Sequence, residues 1–122
     1  MTDIFVFGSN LSGIHGAGAA AYALKHHGAY YGVGYGLMGT SYALPTKDFE
    51  IRTLSLDQIA GHVEVFLCFA SIRRDLTFMV TPVGTGLAGY TREQIAPLFQ
   101  DIPANVYFED ENGNDWYKRA IT

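Results

Sequence analysis

The sequence predicts a three-layer α/β/α sandwich around a mixed, mostly parallel sheet. Two apolar runs, Ile4-Phe5-Val6-Phe7 and Leu76 to Val83, read as strands buried on both faces rather than as half-exposed edges. Each run opens into a glycine-rich loop, and each loop leads into a segment with helical features. A repeated order of strand, glycine loop and helix is how α/β layers are assembled.

Length and composition bound the architecture. The chain has 122 residues, enough for one domain, and a domain of this size buries roughly two thirds of the surface its unfolded chain exposes. Hydrophobic residues are 48% and charged residues 16%, which excludes charge-driven disorder. Lys and Arg number 8 against 12 Asp and Glu, a formal charge of −4. That is the wrong sign for gripping nucleic-acid phosphates or an anionic membrane, so neither partner is expected. The core is expected over residues 4–108, with 109–122 as a short C-terminal tail.

The elements follow in order. The first strand ends at Gly8; the polar turn Gly8-Ser9-Asn10 and the loop through Gly18 precede an alanine-rich helix over 19–27, closed by Gly28 as a left-handed cap. From Tyr30 to Gly39 glycine alternates with tyrosine and other apolar residues, read as a glycine-rich turn. Tyr42 to Pro45 is a strand whose proline marks its exit. Ser55-Leu56-Asp57-Gln58 is a capping box, and Leu56, Ile59, Val63, Phe66, Leu67 and Ala70 recur at helical spacing through about residue 72. After the strand at 76–83 and the loop Gly84 to Gly89, a second capping box, Thr91 to Gln94, opens a helix through Phe99 that Pro97 bends or shortens. Asn105 to Phe108 is the last strand, followed by an acidic turn.

Chemistry concentrates in the glycine loops. Both lie where open α/β sheets bind ligands, between a strand's carboxyl end and a helix start. Free N–H groups of a first helical turn and the positive end of the helix dipole stabilise a phosphate there without a cationic side chain. The alternative is that the glycines serve only tight turns. Gly84 to Gly89 and Gly34 to Gly39 both satisfy GxGxxG, but neither sits after the first strand of a βαβ unit as a dinucleotide fold requires. His15 in the first loop either hydrogen-bonds a ligand or is simply a polar loop residue. Tyr30, Tyr31, Tyr35 and Tyr42 either stack a base or cover a core edge.

Other chemistries are not supported. The four histidines lack metal-ligand spacing, so no metal and no cofactor is expected. Ser9, Ser12 and Ser41 have no nucleophile-elbow context. Cys68, within Val65 to Ala70, reads as a buried small hydrophobe. The N-terminal segment has no basic region and its apolar stretch is short, so a cytoplasmic protein, of a bacterium or a phage-infected host, is expected.

The ordered motifs resemble a macrodomain, the ADP-ribose-binding α/β/α module. The resemblance rests on Ile4 to Asn10 with Gly13 to Gly18, on Tyr42 to Lys47, and on Thr81 to Gly89, together spanning most of the chain. The stretch Phe7 to Ala20 is similar to small macrodomain-like proteins of phages and their bacterial hosts. The resemblance implies that Asn10 lies near the distal ribose and that Gly13, His15, Gly16, Ala17 and Gly18 form a first phosphate-facing loop. It also implies that Gly84, Thr85, Gly86, Leu87, Ala88 and Gly89 wrap the diphosphate and distal ribose. Pro45-Thr46-Lys47 resembles the lysine motif of the ADP-ribosyl glycohydrolase subgroup, in which the lysine attacks the distal ribose. Two departures stand out: no acid follows the second glycine loop before Glu93, and Asp3 is the only aspartate near the place where relatives read adenine.

The expectation is a protein that binds ADP-ribose or an ADP-ribose-derived nucleotide through two glycine loops. The alternatives are a glycohydrolase with Lys47 as its catalytic residue, Lys47 otherwise being a solvated surface lysine, and an interaction protein without a nucleotide ligand.

Overall fold

The computed structural model describes residues 3–122. Strands β1 (Asp3–Asn10), β2 (Gly36–Met38), β3 (Ser41–Lys47), β4 (Thr77–Val80) and β5 (Val106–Phe108) alternate with helices α1 (Gly18–His26), α2 (Leu56–Ile72), α3 (Arg92–Ile95) and α4 (Trp116–Ile121). The strand order is β2-β3-β1-β4-β5. Every neighbouring pair is parallel except β2 with β3. The predicted mixed, mostly parallel α/β sandwich is therefore the fold observed.

Alternation along the strands explains the three layers. In β1, Ile4 and Val6 join one core with Ile59, Val63 and Phe66 of α2, whereas Phe7, flanked by Phe5, joins a second core with Ala20 and Ala23 of α1. Successive side chains point to opposite faces of a strand, so a run without polar interruptions is what a doubly covered strand requires. Both capping boxes form as the spacing predicts, Ser55 with Gln58 and Thr91 with Gln94.

Several elements depart from expectation. β3 does not stop at Pro45 but runs to Lys47, because β2 ends opposite Ala43 and leaves the missing proline N–H without a strand to serve. A register shift follows, with Ser9 opposite Pro45 and Asn10 opposite Lys47. The stretch read as a glycine-rich turn contains β2 as an edge strand. The helix expected through Phe99 is α-helical only to Ile95 and tightens into a 3-10 turn over Ala96–Leu98, where Pro97 sits. Cys68 is exposed, not buried, because the buried stripe of α2 runs through Ile59, Val63, Phe66, Leu67 and Ala70 and leaves position 68 on the solvent side.

The largest difference is at the C-terminus. Residues 109–122 are not a tail. Asp110 organises the acidic turn: its carboxylate accepts the amides of Asn112 at 2.9 Å and Asn114 at 3.0 Å and meets the Arg92 guanidinium at 3.0 Å. Hydrogen bonds from the Asn114 and Asn112 amides, aided by Arg92, hold that carboxyl below the usual carboxylate range despite opposing desolvation. The turn delivers Trp116, fully buried, whose indole N–H donates to the Val80 carbonyl at 2.9 Å and whose ring meets Phe108 and Phe99 edge-on.

Trp116→Ala is expected to cost about 3–5 kcal/mol in a denaturant titration, since it empties a filled core site and removes the indole hydrogen bond to the Val80 carbonyl, which keeps only the Glu109 amide. A chain ending at residue 108 is expected to lose cooperative unfolding. A carboxyl whose folded pKa is lowered contributes stability above its unfolded pKa, near 3.8, and loses it as pH falls toward the folded value. Asp110→Asn is therefore expected to lower the melting temperature at pH 7 and to shrink the gap from wild type below pH 4, as thermal melts across pH would show.

Candidate functional site

The topology opens a crevice at one end of the sheet. From β1 the chain crosses to β3 through α1 on one face, while from β4 it crosses to β5 through α3 packed on the other face. Where connections diverge in this way, the carboxyl ends of adjacent strands are left uncovered, and ligands of open α/β sheets bind there. A cleft of about 600 Å³ lies at this point, bordered by the ends of β1, β3 and β4 and by both glycine loops.

The first loop is built around Asn10. Its side-chain oxygen accepts the Ile14 amide at 3.0 Å, and its side-chain nitrogen donates to the Ile14 carbonyl at 2.8 Å. Gly13 closes the turn with its amide on the Asn10 carbonyl at 3.0 Å, at φ +73°. A Cβ on Gly13 would sit 2.2 Å from the Val33 nitrogen, and one on Gly34 would sit 2.1 Å from the Asn10 carbonyl oxygen. These two glycines exist for a backbone-on-backbone contact, so the loop is braced from behind. Gly16, Ala17 and Gly18 then line the cleft. A Cβ on Gly16 would meet nothing within 4 Å. Ala17 is the N-cap of α1 and contributes no capping side chain, so the first amides of the helix lack partners among the described residues.

The second loop faces the first. Gly8, near the end of β1, lies so close to it that a Cβ there would be 3.4 Å from the Gly84 nitrogen. The loop is closed by the Gly89 amide on the Gly86 carbonyl at 3.0 Å and the Tyr90 amide on the Gly84 carbonyl at 3.0 Å. The amides of Gly86, Leu87 and Ala88 find no acceptor among the described residues. Among the described residues, Lys47, at the end of β3, is the only one with an ionisable side chain lining this cleft, and it makes no ion pair. Unpaired amides, a helix start and one lysine make the cleft an electropositive surface without a cluster of cations.

An adjoining pocket of about 890 Å³ shares Gly18, Ala19, Thr81, Pro82 and Gly86 with the cleft. It continues beside α1 over Phe5, Tyr22 and Met79 and ends at Arg92, Asp110 and Glu111.

The cleft thus brings together Asn10, Gly16, Ala17, Gly18, Lys47, Gly84, Gly86, Leu87 and Ala88, while Thr85 lines the adjoining pocket. Gly13, His15 and Gly89 line neither. His15 is 2% exposed; its Nε2–H donates to the Val33 carbonyl at 2.9 Å and its ring meets Phe7 edge-on, so it braces the loop from within. Asp3 accepts the Tyr107 hydroxyl at the opposite end of β1 and cannot reach a base in the cleft. Tyr30, Tyr31 and Tyr35 are exposed and line neither pocket, and Tyr42 is packed on Phe66 and Phe69 in the core. Ile14, Ala19, Ala20 and Ile51 line the cleft without having been singled out, and Thr46 and the Thr81-Pro82 step, quoted above only as parts of motifs, line it as well. The Thr81-Pro82 step directly precedes the second loop and carried the only local signal.

No protein-family model matches the chain, and no curated protein matches it. Among the described residues, no cluster of three or more His, Cys, Asp or Glu side chains could hold a metal ion. No helix among them is long and apolar enough to cross a membrane.

The glycines divide into two kinds, and substitution separates them. Gly13→Ala, forced against Val33 at positive φ, is expected to cost on the order of 3 kcal/mol. Gly16→Ala, facing open space, is expected to leave the unfolding midpoint nearly unchanged; denaturant titration of both variants checks the contrast.

Proposed function

We propose that the cleft binds ADP-ribose or a closely related nucleotide. The observation that carries this reading is the convergence of two loops with unpaired amides, Gly16 to Gly18 and Gly86 to Ala88, on one cleft at the carboxyl ends of β1 and β4. A diphosphate needs several N–H donors spread over one surface, and these two loops supply them without cationic side chains. The adjoining pocket suits the base, with the Tyr22 and Phe5 rings and Met79 as apolar walls and Arg92 at the far end. The Asn10 and Lys47 end of the cleft suits the terminal ribose.

Hydrolysis is the second reading, favoured by Lys47 facing the same space as both loops. A lysine alone does not complete a general acid–base pair. The lining of this cleft contains no carboxylate among the described residues, which ranks capture above turnover.

Gly86 tests the reading without disturbing the fold, because a Cβ there meets nothing within 4 Å and the residue does not need positive φ. Titration calorimetry is expected to show ADP-ribose binding to wild type. Gly86→Val, with isopropyl carbons in the diphosphate's place, is expected to weaken it at least about tenfold, ~1.4 kcal/mol, at an unchanged melting temperature. Absence of binding by wild type at millimolar ligand overturns the reading. Release of ADP-ribose from a modified substrate, lost in Lys47→Ala while binding survives, would favour the hydrolytic reading.

A further inference from the structure

Helix α2 is apolar on two faces. Its inward face is the stripe of Ile59, Val63, Phe66, Leu67 and Ala70 packed in the core. On the solvent side Gly61, Val65, Cys68 and Ile72 follow one another at spacings of four, three and four residues. At 3.6 residues per turn these positions fall within an arc of about 60°. Val65 is 62% exposed, Ile72 is 73% exposed, and Cys68 is exposed as well. The two carboxylates of the helix, Asp57 and Glu64, stand to one side of this seam. A surface helix ordinarily turns its charged side chains to water opposite the core, and a helix apolar all round is covered all round. No residue of α2 lines the cleft or the adjoining pocket, so the nucleotide does not supply the cover.

Gly61 marks the seam as a contact. A glycine inside a helix costs stability relative to alanine. The chain's own fold does not require it: a Cβ at position 61 would meet nothing within 4 Å, and the residue does not need positive φ. A side chain arriving from another molecule gives the vacant position a use.

The seam is complementary to itself. The spacing four-three-four reads the same in both directions, so an antiparallel second α2 sets Ile72 over Gly61 of the other copy at both ends and Val65 against Cys68 of the other copy between them. Large meets small at each step. A parallel second helix would set Ile72 on Ile72 and glycine on glycine. Charge agrees with the antiparallel order. The first turn of α2 carries Asp57 and no base, and the helix runs out into Arg73 and Arg74. Arg73 is paired with Asp75 at 2.8 Å, whereas Arg74 makes no ion pair among the described residues. Antiparallel packing brings each Asp57 beside the Arg73-Arg74 end of the other copy and opposes the two helix dipoles. Glu64 stays at the rim, where charge remains in water.

We propose that the exposed seam of α2 is a homodimer interface, in which two copies of the chain pack α2 against α2, antiparallel, about a twofold axis. A single helix pair is at the small end of specific interfaces, so the dimer forms and dissociates with concentration.

Sedimentation equilibrium of wild type from about 5 to 500 µM, the range suited to so small an interface, is expected to show the mass rise from one chain to two. Val65→Glu puts a charge in the seam, and Gly61→Leu fills the place of the incoming Ile72. Both are expected to stay monomeric throughout, with melting temperatures at the dilute end no more than about 3 °C below wild type, because both positions face solvent. Oxidation of Val65→Cys at a concentration where the dimer is populated is expected to link position 65 of one copy to Cys68 of the other, as peptide mapping would show. Wild type that remains a single chain at every concentration overturns the interface, and a mass beyond two chains overturns the twofold. If either Val65→Glu or Gly61→Leu pairs as well as wild type, the contact lies elsewhere and the proposal fails. Links between like positions overturn the antiparallel order.

Discussion

The placement of β1 between two parallel neighbours governs the rest of the molecule. Its side chains feed both cores, Val6 on the α2 side and Phe7 on the α1 side, each fully buried. Burial of this extent contributes roughly 1.5–3 kcal/mol per large side chain and makes the strand's position non-negotiable. Because β1 and β4 are neighbours and send their connections to opposite faces, through α1 and α3, the chain leaving β1 at Gly8-Ser9-Asn10 emerges beside the chain leaving β4. Two loops distant in sequence are neighbours for that reason.

Small residues and polar side chains turn this proximity into a defined cleft. Gly8 admits the second loop against β1, and Thr46 ties β3 to β1 by donating to the Ser9 carbonyl at 3.2 Å. Ser9 donates to the Gly34 carbonyl, and Asn10 holds Ile14, so the polar residues at the end of β1 serve the loop's own architecture. Buried polar groups must find partners, and here the partners are backbone groups of loops that have no regular ladder. The amides left over are those of the loop tips and of the uncapped start of α1.

How much was legible in the sequence follows from the range of the interactions involved. The capping boxes at Ser55 and Thr91 are made between residues three apart, and both formed as read. The strands 4–7 and 77–80 were readable as short runs without charge, although Phe5 in β1 and Thr77 and Met79 in β4 are only half-buried. The site was legible as two glycine loops and less so residue by residue. Gly13 and Gly16 are alike in sequence, yet one is pressed on Gly32 and Val33 and the other faces open space. His15 carries no mark in the sequence that its ring turns inward to Phe7 and Val33.

The amino-acid order by itself determined β1, β3, β4, β5, α1, α2, both capping boxes and the glycine-rich junctions, because these depend on contacts between residues a few positions apart, whereas β2 and α4 were not legible in it. Only the tertiary structure decided which junction glycines brace the loops and which line the cleft. It also decided that Trp116 completes the core beneath Val80 and that Ile51 is held at positive φ beside Lys47. Those outcomes depend on surfaces brought together from tens of residues apart, where a side chain's role is set by what happens to face it and not by its neighbours along the chain.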